Sequence, residues 1–129
     1  QQGIPVEDRI PSLLRPEITP SDLLDWVAQY EPDVVYSTHI QHYHWLRESG
    51  FEIPDDISFA LLGSATDNLD GIAHVKIGYK KIGATAIEIL KTKLANEPLG
   101  PTDNPAVTLI RGDWCDGASA VLKPKNVCA

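Results

Sequence analysis

The chain has 129 residues, 43% of them hydrophobic and 22% charged, with a net charge of −7. That length holds one hydrophobic core, and that composition excludes wholesale disorder. No apolar run is long enough to span a membrane, and so acidic a surface repels phosphate backbones, so this segment is not itself expected to be a good nucleic-acid binder.

Along the chain, Thr19, Pro20, Ser21 and Asp22 read as a helix start, with Thr19 as N-cap and Pro20 at the first helical position. Leu23, Leu24, Val27 and Tyr30 follow at helical spacing, and Pro32 ends the helix. Val34, Val35 and Tyr36 form the first apolar run of strand type. A shorter helix is expected over residues 40–49, closed by Gly50. The strongest strand signal covers residues 57–62, and a third covers 72–75. A long helix follows over about 78–95, where Tyr79, Ile82, Ala86, Ile89, Leu90 and Leu94 make one apolar stripe. Lys91 and Lys93 in its last turn complement the helix dipole. Pro98, Gly100, Pro101 and Pro105 mark a loop, and residues 107–110 read as a fourth strand. The strands are short and nearly continuous in apolar character, the pattern of strands covered on both faces.

This alternation predicts an α/β fold with a mostly parallel sheet flanked by helices. In such sheets, ligands bind outside the carboxyl ends of the strands. Residues 37–39, 63–66 and 76–79 are therefore the positions to examine. The chain starts with Gln1 and contains no Met, which is expected of a trimmed chain or of one whose signal peptide has been removed. Cys115 and Cys128 make no disulfide framework and are expected to be free thiols in a reducing compartment.

Residues 48–63 carry a recognisable signature: a helix ending in Gly50, the turn Ile53, Pro54, Asp55, Asp56, Ile57, Ser58, then an apolar strand closed by Gly63. Pro54 disfavours the α region for Ile53, and the two Asp side chains suit a turn. The signature resembles that of the lac repressor and galactose repressor (LacI/GalR) family. The resemblance extends to Gly3, Ile4, Pro5, Val6 upstream and to Ala73, His74, Val75, Lys76. It continues through Ile82, Gly83, Ala84, Thr85, Ala86 and the closing Leu109, Ile110, Arg111, Gly112, Asp113, so it spans residues 3–119.

The resemblance implies the later half of a sensor domain with the two-lobed type I periplasmic-binding-protein-like fold. Residues 1–129 are then mostly its C-terminal lobe, the helix at about 78–95 belongs to the N-terminal lobe, and the DNA-binding domain is absent. It implies a small-molecule effector, sugar-like or carbohydrate, bound between the lobes, a homodimer, and operator DNA reached only through the missing domain. No enzyme activity, cofactor or membrane is implied, and the location is cytoplasmic. By the same resemblance, Ile18, Thr38, His39, Ser64, Ala65 and Tyr79 are expected to line the effector cleft. The sequence departs from the family there. Thr38 and His39 stand where Asn-Asp is usual, and Ser64 and Ala65 stand where an aromatic and a ligand-binding Asp are usual. A carboxylate makes directional, charge-assisted bonds to hydroxyls, so its loss bears on the ligand. Tyr43, Trp45 and Phe59 read either as packing or as dimer-interface residues. The alternative function is a periplasmic solute-binding protein of a sugar transport system.

Other constellations weigh less. His39, His42 and His44 match no zinc spacing, and the expectation is no metal. Asp67, Asn68, Leu69, Asp70 and Gly71 lack the continuation of a calcium loop, and a turn is expected instead. Asp55 and Asp56 are adjacent and do not flank a bond as a glycosidase pair does. A half-sensor leaves the stripe of the long helix facing water, so the segment is expected to self-associate, swap elements or remain bound to its other half.

Overall fold

The computed structural model describes residues 5, 9–64, 69, 71–96 and 105–121. Their elements are α1 (Pro20–Tyr30), β1 (Val34–Ser37), α2 (Gln41–Glu48), β2 (Ser58–Ser64), β3 (Ala73–Lys76), α3 (Tyr79–Asn96) and β4 (Asp113–Cys115). The succession and the α/β class are those read from the sequence.

Helix α1 starts as its residues dictate. The Thr19 hydroxyl accepts from the Asp22 N–H at 3.2 Å, and the Asp22 carboxylate accepts from the Thr19 N–H at 3.0 Å. This closes a capping box that satisfies two otherwise orphaned donors. The Thr19 hydroxyl bond, first among several causes, holds the Asp22 carboxyl below its ordinary 3.8. The helix ends at Glu31, whose φ of 42° is left-handed and whose N–H bonds the Val27 carbonyl. At the end of α2, Gly50 takes a φ of 96°, the left-handed closure for which glycine is suited.

The sheet has the order β1-β2-β3-β4, with β1, β2 and β3 parallel and β4 antiparallel to β3. Its register places Val35 beside Phe59, Ser37 beside Leu61, and Leu61 beside His74. That row faces α1 and α2. Leu23 and Val27 of α1 and Leu46 of α2 pack there with Val35, Ile57, Phe59, Leu61 and Ile72 as the core. Phe59 is fully buried and meets the Tyr43 ring in a T-shaped contact, with centroids 5.5 Å apart. A side chain with no exposed surface cannot contact a second copy. Phe59 is therefore a core residue, correcting its reading as an interface residue. Tyr43 and Trp45 are partly buried against the same core.

The other face is less covered. Strand β1 alternates between exposed and buried positions rather than being buried on both faces. Val34, Tyr36, Leu62 and Trp114, which the register places on that second face, are about half-exposed. Burial on both faces holds for the starts of β2 and β3, where Ser58 to Leu61 and then Ala73 and His74 are buried.

The turn at residues 117–120 covers the start of β2 and β3. The Ser119 carbonyl accepts from the Phe59 N–H at 2.7 Å, and its hydroxyl donates to the Phe59 carbonyl at 2.7 Å. That hydroxyl also accepts from the Ala73 N–H at 2.9 Å, and the Ser119 N–H donates to the Gly71 carbonyl at 3.0 Å.

The fourth strand is not where the apolar run placed it. Residues 107–110 are not in the sheet, and Val107 and Leu109 are 83% and 89% exposed. The hydrogen-bonded strand is Asp113–Cys115, which pairs antiparallel with β3. An apolar run forms a buried strand only where a neighbour offers backbone groups, and β3 offers its free edge to residues 113–115.

Helix α3 extends away from this core. Tyr79, Ile82, Ile87, Ile89, Leu90 and Leu94 are all exposed along its 18 residues. The stripe read from the sequence faces water.

Candidate functional site

Three parallel strands share one carboxyl end. Ser37 and Thr38 follow β1, Ser64 ends β2, and Lys76 leads through Ile77 to Tyr79 at the first turn of α3. Ser64 and Lys76 are register partners, and the Ser64 carbonyl accepts from the Ile77 N–H at 2.8 Å. Gly63 makes this closure possible. Its φ is 88°, and a Cβ there would lie 2.8 Å from the Ile77 Cδ1.

Ile18 and Thr38 line a cavity of about 510 Å³, together with Ser37, His42 and Leu62. Ile18 and His39 line a second hollow of about 380 Å³ with His42 and Trp45. Thus Ile18, Thr38 and His39 are brought together around the end of β1. Ser64 and Tyr79 lie on the same sheet edge but line neither hollow, and Tyr79 is 58% exposed. Ala65, with Asp67, Asn68, Asp70 and Cys128, lies outside the described residues.

The sequence reading missed the centre of this arrangement. His42 is buried on α2, and its Nδ1 lies 2.6 Å from the Ser37 Oγ. The same Oγ accepts from the His39 N–H at 3.0 Å and lies 3.2 Å from the His39 carbonyl. One proton arrangement satisfies all three contacts. His42 Nδ1–H donates to Oγ, and the Ser37 hydroxyl donates to the His39 carbonyl. Ser37 thereby pins the turn that aims His39 and starts α2. Its position at the end of an apolar strand was the available signal.

Burial first, and the neighbouring His39 second, push the His42 pKa below its ordinary 6.5. The folded state therefore holds His42 neutral, while the unfolded chain protonates it more readily. The resulting stability is present above about pH 6.5 and is lost as pH falls through the folded pKa. The urea midpoint is expected to fall on acidification below about pH 6.5, and His42→Gln should flatten that part of the profile. An unchanged slope in the variant would remove His42 as the cause.

Among the described residues, no group of three or more His, Cys, Asp and Glu gathers as a metal site. His39 and His42 meet edge to face with centroids 5.8 Å apart, and exposed His44 turns to Tyr43 instead. Arg15 and Asp22 pair at 2.6 Å near the rim, an exposed pair of small energetic weight. Buried His74 bonds the Ile72 carbonyl through Nδ1 at 2.8 Å and leaves Nε2 without a partner. Among the described residues, no helix is long and apolar enough to cross a membrane.

No family model matches the chain, and no curated protein matches its sequence. Among solved structures, the chain is similar to a PurR family transcriptional regulator from Vibrio parahaemolyticus, with a TM-score of 0.58 and 15% sequence identity. The match covers 81% of this chain and 39% of that one, so the chain spans about two fifths of the length of its structural neighbour. At this identity the likeness is one of fold: a mostly parallel sheet flanked by helices.

Proposed function

We propose that this chain is the effector-sensing and dimerisation part of a bacterial transcriptional regulator of the lac repressor type. The observation that carries the reading is the carboxyl edge of the parallel sheet, where Ser37, Thr38, His39, Ser64 and Tyr79 stand above a fold shared with a regulator. Most of the chain is the C-terminal lobe of a two-lobed sensor, and α3 crosses to the other lobe. The apolar face that α3 turns to water supports that division, because such a face needs a packing partner.

The effector binds between the lobes, against Ile18, Thr38, His39, Ser64, Ala65 and Tyr79. The hydroxyls and the imidazole suit a small hydroxyl-bearing molecule of the carbohydrate class, and the Tyr79 ring offers an apolar face for stacking. No residue here performs catalysis and no cofactor or metal takes part. An effector that contacts both lobes binds the closed arrangement more tightly and shifts the population towards it. A homodimer, with Tyr43 and Trp45 as its candidate contacts, passes that closure to a DNA-binding domain outside these residues. The site of action is the cytoplasm.

The test uses the full product of the gene. It is expected to bind operator DNA upstream of its own gene in a fluorescence-anisotropy titration. One sugar or related polyol should change that affinity by about 5–150-fold, the usual range of allosteric coupling. A secreted product that binds a sugar and no DNA would replace this reading with the solute-binding protein.

A further inference from the structure

His74 on β3 is buried with half of its ring unsatisfied. It is 2% exposed, and among the described residues its Nε2 meets no hydrogen-bonding partner. Its Nδ1 lies 2.8 Å from the Ile72 carbonyl oxygen, so Nδ1 carries the proton and Nε2 carries a bare lone pair. A dry, unused acceptor is destabilising, and one that persists in a fold calls for an occupant.

The ladder shows which way the ring leans. The Ala73 N–H turns to Ser119, which also bonds both backbone groups of Phe59, so Ala73 faces β2. Alternate residues face opposite neighbours, and Ile72 and His74 therefore turn their backbone groups to β4. A ring drawn to the Ile72 carbonyl leans to that side. Leu61, His74 and Cys115 are register partners in one row, so their side chains leave the same face of the sheet. Cys115 is a free thiol and stands directly across from His74, at a Cβ spacing of about 4.5–5.5 Å for such partners. It is partly exposed, which opens the pair to solvent.

We propose that the Cys115 Sγ and the His74 Nε2 form a two-coordinate site for a soft monovalent metal ion of the Cu(I) class. Thiolate and imidazole are both ligands that copper takes, and thiolate selects its monovalent form. The bond from Nδ1–H to a backbone carbonyl is the outer contact of a metal-ligating histidine: it fixes the tautomer and leaves the other nitrogen to the metal. Metal bonds of about 2.0–2.3 Å seat the ion between two side chains that do not bond each other directly. Zinc fits less well, because it takes three or four protein ligands and no such group gathers among the described residues. As the sulfur–metal bond forms, the Cys115 thiol releases its proton to solvent, His74 stays neutral and the ion keeps its oxidation state. The bound ion ties β3 to β4. The pair is separate from the residues proposed to hold the effector, and the proposal does not rest on that reading.

Anaerobic titration of the chain with Cu(I), in competition with a chromophoric Cu(I) chelator, tests this. Cys128→Ser removes the chain's other thiol and should still bind one Cu(I) per chain, with thiolate-to-copper charge-transfer absorption in the ultraviolet. Adding Cys115→Ser should abolish that absorption. Adding His74→Gln should weaken binding by more than about a hundredfold, beyond the cost of losing an outer contact. In the Cys128→Ser chain, Cu(I) should move the His74 Nε2 magnetic resonance, leave the Nδ1–H bond in place and raise the urea midpoint.

Absence of binding by the Cys128→Ser chain would overturn the proposal, as would an Nε2 resonance that Cu(I) leaves unmoved. Binding retained without Cys115, or undiminished in folded His74→Gln, would assign the copper to other residues and overturn it too. If His74→Gln is unfolded by circular dichroism, the Nε2 resonance of the Cys128→Ser chain decides alone.

Discussion

Phe59→Ala is expected to lower the unfolding free energy by about 3–5 kcal/mol, the usual cost of truncating a buried aromatic. Phe59 has no exposed surface and sits mid-row on the covered sheet face, between Val35 and the Tyr43 ring. Its loss opens a cavity where β1, β2 and α2 meet, and strands fixed by their ladder collapse only partly into such a space. Because a domain's whole stability is about 5–15 kcal/mol, the variant is expected to be unfolded in a substantial fraction at 37 °C. Urea unfolding followed by circular dichroism reads the effect. A loss below about 1 kcal/mol would show that Phe59 is not in the core and would reopen its reading as a contact between copies. Phe59→Leu keeps much of the volume and should cost less, which separates packing from a specific aromatic role.

Local rules were enough for much of this fold. Thr19, Pro20 and Asp22 settle the start of α1 because capping chemistry is confined to four neighbouring residues. Gly50 closes α2 for a similar reason. The apolar residues of β2 mark a central strand because strands on both sides and the packed face of α1 and α2 all cover them. Where pairing partners are distant, the sequence was mute. Residues 107–110 look more like a strand than 113–115 do, yet the choice belongs to β3, some forty residues earlier, whose edge takes Asp113–Cys115. Exposure of Val34 and Tyr36 depends on which neighbour β1 has, and the residues of β1 carry no mark of it.

The site divides in the same way. Ile18, Thr38 and His39 are read from position alone, since carboxyl ends of parallel strands gather on one edge. The bond between Ser37 and His42 was hidden because it joins a strand end to the helix after it. A histidine on an apolar helix face looks the same whether it is satisfied or free. Ser119 was hidden more deeply. Its three partners, Phe59, Gly71 and Ala73, lie 46 to 60 residues away in the case of the side-chain bonds. Nothing in the run Gly117, Ala118, Ser119 distinguishes it from an ordinary turn.

That turn carries the second large expected effect. Gly117→Ala should destabilise the chain by about 3 kcal/mol or more, at or beyond the upper end for overpacking. A Cβ at Gly117 would overlap the Ala73 nitrogen and the Ile72 carbonyl carbon, and it would lie 2.6 Å from the Gly71 carbonyl oxygen. All three are backbone atoms, so no rotamer change relieves the clash. The turn itself must lift. Lifting it separates Ser119 from the Phe59 carbonyl, the Phe59 N–H and the Ala73 N–H, which are buried. Each buried group left without a partner costs about 1–3 kcal/mol unless water reaches it. The damage is expected to be local first: amide exchange at Phe59 and Ala73 should quicken, while α1 keeps its protection until global unfolding. Ser119→Ala provides the contrast, because it removes the hydroxyl bonds and keeps the turn seated. If Gly117→Ala matched the wild type in urea midpoint, the turn would not be packed against β3, and the start of the sheet would depend on β2 and β3 alone.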